Sequence, residues 1–167
     1  MTITALDPAQ LRHAFGAFPS GVVAVAARVD GALTGMAASS FTSVSLDPPL
    51  VSFSVANGSS TWPLLRRSER LGLSVLADHH GAACRRLAGP AAQRFEGLDV
   101  ADAAGGAVLL PDAVTTFECV VHEELPAGDH TIVLLRLVDW HEGAGSPLVF
   151  HRSAFARLRD ALTGGAR

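Results

Sequence analysis

The chain has no lysine. All 13 of its basic residues are arginine, and with 16 acidic residues the formal net charge is −3. Scattered arginine on a mildly acidic chain is not the clustered basic face that nucleic-acid binding requires. The missing lysine and the abundance of alanine read as coding bias and carry no mechanism. Cysteine is equally scarce. Cys84 and Cys119 stand 35 positions apart with no second cysteine near either, which fits neither a zinc-ligand pair nor a disulfide scaffold and leaves two buried packing residues as the expectation. Long hydrophobic runs are missing too. Gly21 to Ala27, the longest near the N-terminus, is far too short to span a bilayer, and no basic segment precedes it. A cytoplasmic protein with no membrane or nucleic-acid partner is expected.

The common short motifs are absent as well. There is no P-loop, no G-x-G-x-x-G opening a helix, no G-x-S-x-G and no C-x-x-C, which argues against a Rossmann dehydrogenase and against the familiar nucleophile and phosphate-loop chemistries. Seven histidines show no H-E-x-x-H spacing, and adjacent His79 and His80 cannot form an i, i+4 pair. No metal is expected.

What the chain does have is apolar content: 49% of its 167 residues are hydrophobic. That suffices for a single domain over residues 1–167, or for one whose core a second copy completes. Asp7-Pro8 followed by Leu11, Ala14, Phe15 and Phe18 predicts an N-capped helix with one apolar face, ending at Phe18-Pro19. "GVVAVAARV" predicts a strand, Asp30-Gly31 a hairpin-type turn, and the segment returning from it a second extended run up to Pro48-Pro49. "LVSFSVA" alternates as a strand does. A turn at Asn57-Gly58 precedes a short helix capped by Ser60 or Thr61 and running through Leu65. "LGLSVLA" is a further strand, and Asp78 caps a helix to about Leu87. Gly89 to Gly106 is a Pro/Gly/Ala-rich surface excursion of the kind that often carries function. "AVTTFECVVHEEL" and "HTIVLLRLVDW" form a long hairpin through "PAGD", Leu148 to Phe150 adds a short strand, and a closing helix is expected from Ser153 to about Leu162. About seven strands without regular βαβ alternation point to a mainly antiparallel barrel.

Within this pattern "GMAASSFTSVSLDPP", Gly35 to Pro49, brings little bulk and many hydroxyls. Two readings are open. Small side chains let two strands or two subunits approach closely, with hydroxyls pairing across strands. Alternatively, a flat ligand lies against this backbone and collects hydrogen bonds from main-chain N–H groups, Ser39, Ser40 and Thr34.

"FPSGVVAVAA", "GMAASSFTSVSLDPPLVSFSV", the pair Arg94-Phe95, "FEC" at Phe117 to Cys119, "GDHTIVLLRLV" and "PLVFHRSAF" follow one another from about residue 10 to residue 158. Together they resemble the short-chain flavin reductase family, the reductase partners of two-component flavin-dependent monooxygenases. The resemblance implies a mainly β fold, an antiparallel Greek-key split β-barrel with peripheral helices (the FMN-binding split barrel). It implies a homodimer that binds FMN or FAD and reduces it with NADH or NADPH. Flavin contacts are implied at Leu33, Thr34, Gly35, Met36 and Ala37, at Ser39 and Ser40, at Ser54, Val55 and Ala56, at Ser60 and Thr61, and at Arg86. His130, in "AGDH", is placed by resemblance near the nicotinamide. Phe150, His151, Arg152 and Ser153 would form the second nucleotide segment, with Arg152 toward the pyrophosphate.

On that basis Ser39 and Ser40 suit the mixed donor and acceptor edge of the flavin ring. Ser60, Thr61 and Arg86 suit a phosphate. Leu135 stands where the family usually has Gly, so the local barrel surface is expected to differ there, and Ser20 stands where Thr is frequent. Two rivals remain at this stage. One is a non-enzymatic flavin-binding split barrel. The other is a pyridoxine-phosphate oxidase relative, for which the lysine-free chain offers few clustered basic residues.

Overall fold

The computed structural model describes residues 6–158. Pro8 starts helix α1 (Pro8–Phe15), with the Asp7 carboxylate accepting the Ala9 N–H at 3.2 Å, as a capping Asp before a first-turn Pro dictates. The apolar face of α1 is not buried: none of its residues reaches the core, and Phe15 and Phe18 are largely exposed.

β1 (Ser20–Gly21), β2 (Val23–Val29) and β3 (Ala32–Ala38) come next. The β2–β3 turn uses Asp30 and Gly31 at φ +50° and +81°, the left-handed pair that a tight hairpin requires. β4 (Thr42–Leu46) and β5 (Pro49–Ala56) form a second hairpin. The small-residue stretch is therefore two strands with a break at Ser39 to Phe41, where one extended segment was expected. α2 (Trp62–Leu65) and β6 (Leu71–Val75) lead to a 3₁₀ turn at Asp78–His80 and to α3 (Gly81–Leu87).

The excursion contains the short pair β7 (Ala101–Asp102) and β8 (Val108–Leu109). β9 (Thr115–Ala127) and β10 (His130–Glu142) are the long hairpin, turning through Gly128 at φ +67°. β11 (Leu148–His151) and β12 (Ala154–Arg157) close the described chain.

The closing helix is not formed over Ser153–Arg157. Arg152 and Ser153, at φ +48° and +62°, make a tight turn, and β12 pairs antiparallel with β11, setting Phe155 opposite Phe150 with ring centroids 5.8 Å apart. Pairing with a neighbouring strand outweighs the helical spacing of Phe155 and Leu158. The remainder of that expected helix lies outside the described residues.

Seven strands make one antiparallel sheet in the order β3-β2-β6-β9-β10-β5-β4. Its two ends approach where the Ser40 hydroxyl accepts the Ser54 N–H at 2.8 Å and donates to the Ser54 carbonyl at 3.2 Å. The result is a split barrel. Its interior is packed by Val23 and Val25 of β2, Phe53 of β5, Leu71 and Leu73 of β6, Val133 and Leu135 of β10, and Leu65 of α2. Leu135 is thus a fully buried core residue beside a register shift in β10, so its side chain fills the barrel interior and is not part of the barrel surface.

A second cluster lies on the other side of β2, with Val22 and Ala24 packed against Leu76, Leu87, Leu110 and Leu148. β2 is buried on both faces, which is why its sequence runs apolar without alternating. Gly72 serves close approach: a Cβ there would stand 2.0 Å from the Val108 carbonyl oxygen.

Candidate functional site

A cleft of about 440 Å³ opens where β3 ends, lined from that side by Met36, Ala37, Ala38, Ser39 and Ser40. The opposite wall is Ser54, Val55 and Ala56 at the end of β5, with His130 from the first position of β10. Ser59, Thr61, Leu87, Ala88 and Arg94 complete it. The volume falls within the usual range for small-molecule sites, about 300–1,000 Å³. The wall on the β3 side is thin because Ala37 and Ala38 at the end of β3 and Ser39 and Ser40 in the break after it bring little bulk.

A second cleft of about 430 Å³ shares Ala37, Ala38, Ser39 and Ala88 with the first and adds Phe150, Ser153, Phe155 and Cys84. Two ligand-sized spaces therefore meet over one short length of β3.

The hydrogen bonds sort the hydroxyls. Ser40 spends its hydroxyl on the Ser54 backbone, closing the barrel. Ser39 is exposed and lines both clefts. Ser59 Oγ accepts the N–H groups of Thr61 and Trp62 at 3.3 and 3.2 Å, so Ser59 caps the turn into α2 where Ser60 or Thr61 was expected; Ser60 is exposed and lines neither cleft. Thr61 is buried and its Oγ1 accepts from Arg94 Nη1 at 2.8 Å. The start of α3 also differs from expectation. His80 Nδ1 accepts the Ala77 N–H at 3.0 Å, while the Asp78 carboxylate turns to Arg157 Nε at 3.4 Å.

His130 is held from behind. Its Nδ1 lies 2.7 Å from Asp129 Oδ1, and this hydrogen bond keeps the Asp129 carboxyl below the ordinary carboxylate range. The turn carrying both residues is strapped to the end of β5 by Asn57. The Asn57 amide donates to the Gly128 carbonyl at 3.2 Å and accepts from Thr131 Oγ1 at 2.9 Å, and its backbone N–H donates to the Asp129 carbonyl at 3.0 Å. Burial pushes the Cys119 thiol up to about 12, and burial raises Cys84 as well. Both are packing thiols with no nucleophilic role, as the sequence implies.

Of the residues expected at the site, Met36, Ala37, Ser39, Ser40, Ser54, Val55, Ala56, Thr61 and His130 converge on the first cleft, and Phe150 and Ser153 line the second. Leu33 and Thr34 lie farther back along β3, opposite Arg28 and Ala27, and line neither. Gly35 sits beneath the cleft floor: its carbonyl accepts from Arg94 at 2.8 Å, and a Cβ on it would meet Phe95 at 2.7 Å. Arg86 is exposed on α3 and lines neither cleft; its Nη1 approaches Gly97. His151, opposite Ala154 in β11, and Arg152, whose N–H donates to the Gly16 carbonyl at 2.9 Å, also stand outside both linings.

Five residues of the first cleft lie outside the expected set, Ala38, Leu87 and Ala88 with small or apolar side chains and Ser59 and Arg94 with polar ones. Ser59 carries no sequence signal beyond its place in a Gly-Ser-Ser turn. Arg94 carries one: it is the only basic residue between Gly89 and Gly106. Among the described residues, no cluster of His, Cys, Asp and Glu is arranged to hold a metal, and no helix is long and apolar enough to cross a membrane.

Residues 15–159 match the family model of the flavin reductase like domain. The chain belongs to that family. A flavin reductase from Pseudomonas putida is 36% identical over 154 residues, covering 91% of each chain. The reductase subunit of a flavin-dependent monooxygenase from Rhodococcus jostii is 30% identical over 160 residues, 95% of this chain and 82% of that one. Among solved structures, an NADH:FAD oxidoreductase of Streptomyces globisporus in complex with NAD and FAD fragments superposes with a TM-score of 0.87 at 33% identity, covering 96% of this chain and 99% of that one.

Proposed function

We propose that the protein is an NAD(P)H-dependent flavin reductase, passing hydride from NADH or NADPH to FMN or FAD. The observation that carries this is the pair of ligand-sized clefts meeting at Ala37, Ala38 and Ser39, with His130 at the rim of the first. Hydride transfer between two ring systems needs them in contact and needs no general base. A protein doing this work has to supply two adjoining slots, polar anchors and exclusion of water.

The first cleft fits a flavin. Its walls are thin, and it offers the Ser39 hydroxyl and a polar rim for an edge of alternating donors and acceptors. When bound, the flavin and the nicotinamide supply the hydride acceptor and donor. The chain's own residues orient them. Ser54 to Ala56 form a flat wall held in register by β10, Ser39 faces both slots, and His130 offers a ring nitrogen fixed by Asp129 and Asn57.

Further parts of the reading concern assembly and setting. The protein acts as a homodimer, because α1, β4 (Leu46 is 96% exposed) and Trp140 leave apolar surface uncovered and the clefts are open to solvent. It hands reduced flavin to a flavin-dependent monooxygenase, a role supported by the relative that is the reductase subunit of such an enzyme. It works in the cytoplasm, where free thiols such as Cys84 and Cys119 stay reduced.

Mixing the protein with each flavin and nucleotide pair and following nicotinamide absorbance near ~340 nm tests the activity. Turnover with at least one pair is expected. Flavin binding without nucleotide oxidation would leave the non-enzymatic flavin carrier as the reading. Light scattering tests the dimer, and a fully active monomer would refute it.

A further inference from the structure

We propose that Arg94 is the phosphate-binding residue of the first cleft, its free guanidinium edge receiving the phosphate group of the flavin. This rests on the flavin reading above and adds a residue outside the flavin contacts that the family resemblance implies.

Arg94 is partly buried and lines the cleft beside Ser59 and Thr61. Its Nε donates to the Gly89 carbonyl at 2.8 Å, and its Nη1 donates to the Gly35 carbonyl and to Thr61 Oγ1, both at 2.8 Å. All three acceptors are neutral. Nη2, with two of the five guanidinium donors, has no hydrogen-bond partner among the described residues, and no carboxylate stands within ion-pair distance of Arg94 among them. Among the described residues, Arg28, Arg66, Arg67, Arg70 and Arg157 each face a carboxylate, whereas Arg94, like Arg12, Arg85, Arg86, Arg136 and Arg152, does not, and of these six only Arg94 lines the first cleft.

A half-buried cation held only by neutral acceptors gains a charge-assisted partner when an anion enters the cleft. Here the cation is held by three bonds at the wall of a ligand-sized cleft, so its planar fork is oriented before any ligand arrives. The rival anchor is the start of α2, but Ser59 Oγ already takes the Thr61 and Trp62 N–H groups. The anion is a phosphomonoester or pyrophosphate carried on the flavin, with the nicotinamide nucleotide's phosphates as the alternative source.

Equilibrium binding of FMN and of riboflavin, which lacks the phosphate, tests this by fluorescence quenching, with NADH binding measured alongside. Wild type is expected to favour FMN by roughly ten- to a hundredfold, the range for a charge-assisted bond. Arg94→Gln keeps an amide donor for Gly35 or Thr61 and removes the charge. It should bring the FMN to riboflavin ratio to within about threefold of unity while riboflavin affinity changes by less than about threefold. Arg94→Lys, which retains a cation if the Gln variant does not fold, should lower the ratio part way because the fork is lost. Equal weakening of both flavins would make Arg94 a structural strut and overturn the proposal, as would an unchanged ratio in Arg94→Lys. Weakened NADH binding with the flavin ratio intact overturns it in favour of the other phosphate source, and loss of the ratio in Arg86→Gln but not in Arg94→Gln overturns it in favour of Arg86. If wild type binds neither flavin, the flavin reading and this proposal fall together.

Discussion

β2 and β3 are adjacent strands of one hairpin, paired residue for residue from Val23↔Ala38 to Val29↔Ala32. Both are built largely of small and apolar residues. β2 is buried at every position but one, whereas β3 is mostly half-exposed. The difference comes from their neighbours. β2 is flanked by β3 and β6 and covered on both faces, by the barrel interior and by the layer of α3 and β11. β3 is an edge strand whose end faces the two clefts. The same kind of residue is a packing unit in one strand and the wall of an open space in the other.

The sharpest way to break this comparison is one substitution made on both sides of a single pair, Ala24↔Ala37. Ala24 is almost wholly buried, so Ala24→Leu overpacks the outer cluster and should cost about 1–3 kcal/mol in denaturant unfolding. Ala37→Leu has the clefts to grow into. It should leave stability within about 0.5 kcal/mol of wild type while abolishing measurable flavin binding. If the two variants unfold alike, the cleft collapses in solution and the contrast between the strands is lost.

Two neighbouring serines sharpen it further. Ser40→Ala removes both bonds to Ser54 at the closure of the barrel and should lower stability by about 0.5–1.5 kcal/mol. Ser39→Ala makes no such change and should be stability-neutral while weakening flavin binding by several-fold. Thermal midpoints and flavin titrations on both variants decide between strand pairing and ligand contact, position by position.

A smaller effect separates the layer outside β2 from the barrel interior. Burial first, and then neighbouring His79, lower the pKa of His80 from its ordinary 6.5, against opposing contributions from Asp112 and the Pro111 carbonyl. Its neutral Nδ1 accepts the Ala77 N–H. A histidine depressed in the folded state opposes protonation, so it exerts no penalty well above pH 6.5 and an increasing one as pH falls through that value. Thermal midpoints should decline over that window in wild type, and less steeply in His80→Gln. Parallel curves would remove His80 as the cause.

Much of this architecture was legible because it rests on local chemistry. Asp7-Pro8 start α1, Asp30-Gly31 turn β2 into β3, and the alternation of Val51, Phe53 and Val55 gives β5 its buried face. Phe155 and Leu158 carry helical spacing through Ala154–Arg157, and only pairing with β11, which no local signal announces, makes that segment a strand. At the site, Ser39, Ser54 to Ala56 and His130 could be named from the resemblance. The different roles of Ser39 and Ser40 could not, because the Ser40 bonds span 14 positions to Ser54. In the sequence Arg94 stands out only as part of an Arg-Phe pair, since its three acceptors come from three separate segments.

By itself, the sequence determined the antiparallel β class, the family and the small-residue character of β3, because periodicity, turn chemistry and side-chain size are written one residue at a time. The tertiary structure decided that the Ser40 hydroxyl is spent on Ser54 while the neighbouring Ser39 faces both clefts, and which arginine lines the first of them. Those outcomes depend on segments far apart in the chain meeting within hydrogen-bonding distance, and no local pattern encodes which segments will meet.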